Sequence, residues 1–359
     1  MLSSAGFVSD DDRGNRSGIS NFLTVVDFSG WVATSYNHRL LDNHDQNQNT
    51  SFALHPDANT FALDQVWFEI DKAPTEASRA GFHVDLNWGT ANRSLGGQQN
   101  DNLYSAYVSY LADVGNGVQV DMGILPTLLG AEVAQQNANF NITRGMVWGL
   151  QPITHTGVIL STELGGGLSG AFGVVNDVFS DTSSDVSRSK SYTGQLAYSG
   201  DSMMAAVSYI VGSDTGQGCT DDGISDCNTA ILDFLLTADP SDSVSMWVNL
   251  DWVSQNGDKT SNTHTVGVAA ATRIAINDRA GIAGRIEFVA ADIDGLNEVH
   301  NGSLTVTSDC ALTDNLTARA EARWDRNFKG GGGFPSGKDS GQNNRDDVLA
   351  LVLELLYSF

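Results

Sequence analysis

The sequence predicts an all-β fold: a transmembrane, antiparallel, up-and-down β-barrel of about 16 strands, with about 14 or 18 as the neighbouring even counts. Three observations predict it. Apolar and polar residues alternate with a period of two in segment after segment. These segments are joined alternately by short turns and by long loops. No stretch reaches the roughly 18–20 apolar residues of a membrane-crossing helix, yet the 359-residue chain closes on LALVLELLYSF, apolar to its last ring.

That ending sets the pattern for the rest. Leu349, Leu351, Leu353, Leu355, Tyr357 and Phe359 fall on one face of a strand, and Ala350, Val352, Glu354, Leu356 and Ser358 on the other. Upstream, Leu316, Ala318, Ala320, Ala322 and Trp324 oppose Thr317, Arg319, Glu321, Arg323 and Asp325. Ile282, Ile286 and Phe288 oppose Arg285 and Glu287, and Phe82, Val84, Leu86 and Trp88 oppose His83, Asp85 and Asn87. Val248, Leu250 and Trp252 oppose Trp247, Asn249 and Asp251, while Leu232, Phe234 and Leu236 oppose Asp233.

Runs of this kind lie near 25–38, 62–72, 79–90, 102–113, 117–127, 154–164, 167–177 and 190–200. Further ones lie near 202–213, 227–238, 243–254, 263–276, 279–291, 300–310, 314–326 and 346–359. The short connections (PTEAS, VGNG, GG, SGDS, PSDS, NDR, LT) consist largely of turn-forming residues. The long ones are 39–61, 91–101, 128–153, 178–189, 214–226, 255–262, 292–299 and 327–345. In outer-membrane barrels short turns face the periplasm and long loops the exterior, so an even strand count places both termini in the periplasm. A β-sandwich has no reason to segregate loop lengths so regularly, and a propeller would repeat every 40 to 50 residues or so. Residues 1–24 are expected to form an N-terminal periplasmic or luminal segment, and 25–359 a single barrel domain.

Such a barrel is too wide for side chains alone to fill. The apolar faces are therefore expected to meet lipid, and the charged faces water. Tyr36, Trp88, Tyr110, Tyr198, Trp252, Trp324, Tyr357 and Phe359 lie near strand ends, as interfacial aromatic girdles require. A terminal aromatic after alternating apolar residues also resembles the signal read by the barrel-assembly machinery, which makes Tyr357 and Phe359 the candidate assembly signal.

Composition narrows the function. With 43 acidic and 19 basic residues the net charge is −24, and no basic patch could neutralise the phosphates of a nucleic acid. Solvated loops, a saline habitat or a cation-selecting interior would each account for the charge. MLSSAGFVSD lacks the basic start and apolar segment of a signal peptide, so residue 1 is taken as the start of a mature or recombinant chain. Cys219 and Cys227 bracket GCTDDGISDC; a local disulfide, free thiols or a metal site would fit, though the zinc spacing is missing. No cofactor is expected beyond a divalent cation in acidic loops. GxSxG, HExxH, P-loop and CxxC patterns are absent, and no enzyme activity is expected.

Loop 128–153 carries Phe140, Met146, Val147, Trp148 and Leu150, too apolar a set for a solvated loop of this length. It is expected to fold inward and narrow the pore, with Glu132, Arg144, Asp121 and His155 at the constriction; packing over the outer rim is the alternative. The pore-lining acids would be Asp27, Glu69, Asp71, Asp85, Glu163, Asp233, Asp251, Glu287, Glu321, Asp325 and Glu354. The basic residues cluster late, at Arg273, Arg285, Arg319 and Arg323. They would either pair across strands or form a basic wall facing an acidic one. The acidic excess implies mild cation preference.

The stretch VDMGILPTLLGAEVAQQNANFNITRGMVWGLQPITHTGV carries Gly123, Thr127, Gly130, Glu132, Asn137, Asn139, Asn141, Arg144, Pro152, Thr154, His155 and Gly157, and is followed by Val175 and Asn176. In these positions it resembles the OmpL-like β-barrel porin-2 family. Ile124, Leu125 and Pro126 depart from that pattern, which expects a Lys or Phe. The resemblance implies diffusion of small polar solutes or cations across an outer membrane. The partners would be the lipid bilayer, lipopolysaccharide, the barrel-assembly machinery and further copies in a homotrimer. A non-conducting outer-membrane scaffold or adhesin is the competing reading.

Overall fold

The computed structural model describes residues 25–40, 52–94, 102–179, 190–214, 227–256, 262–294, 298–329 and 346–359. The N-terminal segment 1–24, Cys219 and the side chain of Cys227 lie outside the described residues, and with them the disulfide and the acidic-loop cation. The first eight strands are β1 (Asp27–Arg39), β2 (Thr60–Lys72), β3 (Ala80–Trp88), β4 (Leu103–Ala112), β5 (Val118–Pro126), β6 (Thr154–Gly165), β7 (Leu168–Val175) and β8 (Ser191–Ser199). The remainder are β9 (Met203–Asp214), β10 (Cys227–Ser241), β11 (Val244–Asn256), β12 (Thr263–Ala275), β13 (Ala280–Ile293), β14 (Val299–Ala311), β15 (Leu316–Lys329) and β16 (Asp347–Ser358). Each strand pairs antiparallel with its sequence neighbours, and β1 pairs with β16, so the sheet closes as a barrel of 16 strands. Each expected strand is present, with its ends moved by at most three residues.

Alternation places the side chains as expected. Leu351, Leu353, Leu355 and Tyr357 are exposed on the outer face, while Ala350, Val352 and Glu354 are buried within. The chain end does not fray. Phe359 donates its amide to the Gly30 carbonyl (2.9 Å) and accepts the Gly30 amide (3.1 Å), and its ring lies 5.8 Å from that of Phe68. Deleting Phe359 removes both seam hydrogen bonds, worth about 0.5–1.5 kcal/mol net each, together with the aromatic contact. The expected result is less heat-modifiable barrel in membrane fractions, with unchanged single-channel conductance in the barrels that do form. Wild-type yield would refute it.

One irregularity matters for the interior. In the β1–β2 ladder Ala33 pairs with Gln65 and Thr34 with Leu63, leaving Asp64 as an extra residue. This β-bulge breaks the alternation, so Asp64 and Gln65 are both buried inside. The interior is also less aqueous than alternation implies. Trp31 stacks on Trp67 (5.1 Å), Trp67 meets Tyr104 (4.7 Å), and Leu54, Ala134 and Trp148 pack against them. Elsewhere Val147 packs with Trp247, Ala269 and Ala271, and Leu129 with Val175, Ile210 and Ile231. Two non-strand segments, 52–59 and 127–153, supply the apolar surface that wall side chains could not supply across such a width.

Candidate functional site: an inward loop against a charged wall

The 127–153 loop meets the wall through polar anchors and through apolar contacts, with Leu129 on Val175, Ile210 and Ile231 and Val147 on Trp247, Ala269 and Ala271. Near its start the Leu128 carbonyl accepts from Gln195 of β8 (2.7 Å) and Ser208 of β9 (3.0 Å). The Ala131 amide donates to Asn249 of β11 (3.1 Å), and Gln151 at the other end donates to Asp251 (2.8 Å). Between these anchors two short 3-10 turns, Gln136–Ala138 and Trp148–Leu150, reverse the chain.

The apex is held by carboxylates. Glu321 of β15 accepts from the Ile142 amide (2.6 Å), the Thr143 amide (3.2 Å) and the Thr143 hydroxyl (2.5 Å). Glu354 of β16 accepts from Gln136 (2.7 Å) and Arg319 (2.5 Å), and Glu287 of β13 accepts from the Val147 amide (3.2 Å). Carboxylates with several N–H donors are strong, directional anchors. Gly145 is needed here: a Cβ on it would lie 2.1 Å from Glu287 Oε1.

The basic residues are committed to the same task. Arg285 pairs with Glu132 (2.5 Å) and Glu287 (3.0 Å) and donates to the Thr143 carbonyl (2.6 Å). Arg319 pairs with Glu354 and reaches the Gln136 and Asn139 carbonyls. Arg323 bonds Asp325 (2.8 Å) and the Arg144 carbonyl (2.6 Å), with its guanidinium 4.3 Å from the Phe52 ring centre. Arg273 pairs with Asp309 (2.6 Å) nearer the short-turn rim. Arg144 donates to three carbonyls of its own loop: Val133, Ala134 and Ile142. At 0% and 7% exposure, Arg144 and Glu132 brace the loop from beneath rather than line open water. The late basic cluster therefore pairs with acids, but only Arg319–Glu354 does so between neighbouring strands; Arg285 and Arg323 pair along their own strands or with the loop, and Arg273 reaches two strands away.

The remaining sequence-predicted residues fall into two groups. Asp233 and Asp251 face each other across β10 and β11, buried and bridged by Asn249. Asp27, Glu69, Asp71, Asp121 and Glu163 lie toward the short-turn half of β1, β2, β5 and β6, and Asp85 lies near the middle of β3. There His83 sits 3.0 Å from both Asp71 and Asp85, and its ring stacks 5.1 Å from that of Tyr107. Asp85 also accepts from Trp67 and Ser105, and Asp121 from Ser109 and Gln119. His155 is buried at the base of the loop, 3.4 Å from the Thr127 hydroxyl. The structure thus brings Glu132 and Arg144 together within the loop, but joins neither Asp121 nor His155 to them by a described hydrogen bond. A cavity of about 300 Å³ separates the loop from the wall, lined in part by Tyr104, Gln135, Trp148 and Gln195.

Sequence reasoning missed Gln65, His55 and Asp64. Gln65 clasps the loop, accepting from Trp31 and the Gln136 amide and donating to the Ala134 carbonyl. His55 lies in the inward 52–59 segment. Burial, and next the Arg144 guanidinium, hold its imidazole down at about 3, so the ring is neutral.

Solved structures with this fold include OmpT of Vibrio cholerae in a trimer form (TM-score 0.65, 10% identity, covering 93% of this chain and 99% of that one). An anion-selective porin from Comamonas acidovorans has TM-score 0.63 at 12% identity over 93% of this chain and 99% of its own. The outer membrane channel DcaP of Acinetobacter baumannii has 0.62 at 13% identity over 93% and 97%. At these identities the likeness is one of fold. Comparison with curated proteins finds no match. The sequence pattern of the family described as "Putative beta-barrel porin-2, OmpL-like" matches residues 25–359, and the chain therefore belongs to that family of porin-like outer-membrane β-barrels.

Proposed function

We propose that the protein is a passive pore for small hydrophilic solutes and ions, mildly selective for cations. The observation that carries the sign is the difference between paired and unpaired charge. Arg273, Arg285, Arg319 and Arg323 are each tied to a carboxylate, whereas Glu69, Asp71 and Asp85 share one nearby imidazole, His83, and Asp121 and Glu163 have no ion-pair partner among the described residues. A patch of carboxylates in excess of its cationic partners attracts cations and repels anions over roughly a Debye length. The fold does not fix this sign by itself, since one solved barrel of the same shape is anion-selective.

In this reading the long loops face the exterior and both termini the periplasm. The 127–153 loop narrows the lumen, and the bilayer, lipopolysaccharide and the barrel-assembly machinery are its surroundings. A homotrimer is the proposed assembly, by analogy with the trimer form of Vibrio cholerae OmpT.

Reversal potentials across a salt gradient in planar bilayers test the proposal. Wild type should favour cations, and Glu69→Gln with Asp121→Asn should lower the cation-to-anion permeability ratio about two- to threefold, less at high salt. Anion preference in the wild type would overturn it. A second reading, a closed scaffold, draws on the full burial of Ile142, Thr143 and Arg144 in the loop apex. Silence from correctly folded protein in bilayers would favour it.

A further inference from the structure

We propose that His55, Asp64 and Glu354 form a resident divalent-cation site inside the barrel, which ties the 52–59 segment to β2 and β16. The three side chains come from separate parts of the fold: the inward segment, the β2 bulge and the closing strand. Their donor atoms all lie within 4.8 Å of one another, with His55 Nε2 3.9 Å from Asp64 Oδ1. All three are buried, at 3%, 1% and 3% exposure.

What points to a ligand is unmet bonding capacity. Both ring nitrogens of His55 and Oδ2 of Asp64 are buried and make no well-formed hydrogen bond among the described residues, although the Ala53 backbone and the Ser35 hydroxyl lie near them. A buried polar atom left without a partner is destabilising, so a bound ligand that fills the role is favoured. The 3.9 Å separation is too long for a His–Asp hydrogen bond to relieve them. A metal ion needs donors about 2.0–2.2 Å from itself, so a contraction of the cluster by less than about 1 Å would let one ion take one ring nitrogen of His55 and one oxygen from each carboxylate.

The donor set indicates the class of ion. One imidazole nitrogen and two carboxylate oxygens suit Zn²⁺ or Mn²⁺ better than Ca²⁺ or Mg²⁺, which prefer all-oxygen shells. Glu354 is oriented for the role by Arg319 and Gln136, the way ligating carboxylates are fixed by their own hydrogen bonds. A carboxylate has lone pairs enough to accept those bonds and still ligate. Arg144 and Arg323 are also near His55; Arg323 is neutralised by Asp325. Because the donors are buried, the ion is resident and structural, distinct from any ion that permeates. Through Glu354 and Gln136 it would also steady the 127–153 loop.

Folded full-length protein, stripped with chelator and titrated with Zn²⁺ and separately with Mn²⁺, tests this by metal analysis and calorimetry. One ion per chain is expected. His55→Ala and Asp64→Asn should each weaken binding at least tenfold, with Asp113→Asn, on an exposed turn, as the unaffected control. His55→Gln covers the case in which the alanine variant fails to give heat-modifiable barrel. Absence of stoichiometric binding of either ion to wild type would overturn the proposal. So would wild-type affinity in a folded His55 or Asp64 variant. Neither result depends on whether the protein conducts.

Discussion

Deleting residues 133–147 is expected to raise single-channel conductance severalfold while leaving a closed barrel. The deletion removes the loop apex that Glu321, Glu354 and Glu287 hold across the lumen. It removes no strand, because the segment lies between β5 and β6. The wall charges it uncovers lose protein partners but gain water, so the usual penalty for stranding a buried charge does not arise. The barrel ladder, with every strand paired on both sides, carries the fold without it. Heat modifiability should therefore persist. Unchanged conductance in folded, inserted protein would show that the loop does not govern the pore.

The inward course of this loop was legible because Phe140, Met146, Val147, Trp148 and Leu150 need apolar company that an external loop would not offer. Strand positions were legible for a related reason: lipid on one side and a polar interior on the other impose a period of two. What alternation cannot reveal is depth and partnership. Glu132 and Arg285 are 153 positions apart, and their meeting depends on the path of the loop rather than on any local pattern. The Asp64 bulge adds one residue to one strand, and a period-two pattern read on either side of it stays intact. Inward Trp31 and Trp67 look anomalous for a water-filled barrel until Trp148 and Leu54 are seen to cover them. The same gap explains why placing Glu132 and Arg144 at the constriction did not foresee their burial. Charge in a long loop reads as solvent-facing, but here the chain folds over it.

The contrast between removing the loop and removing one of its anchors gives the second large effect. Arg285→Met, which roughly preserves volume, should destabilise the barrel by about 3–5 kcal/mol, the cost of leaving buried carboxylates without their cation. Glu132 and Glu287 both lose their partner, and the Thr143 carbonyl and Thr305 hydroxyl lose a donor. Unlike the deletion, this change leaves the loop in place to exclude water, so the charges stay desolvated. The barrel can relieve them by lifting the loop off β13, and noisier, larger channel openings should accompany the lower urea midpoint in detergent. Adding Glu132→Gln to Arg285→Met removes one of the stranded charges and should restore part of the loss, a coupling that a double-mutant cycle isolates. A single-variant effect within about 0.5 kcal/mol of wild type would mean that water already reaches these groups, and that the loop rests on the wall rather than being clamped to it.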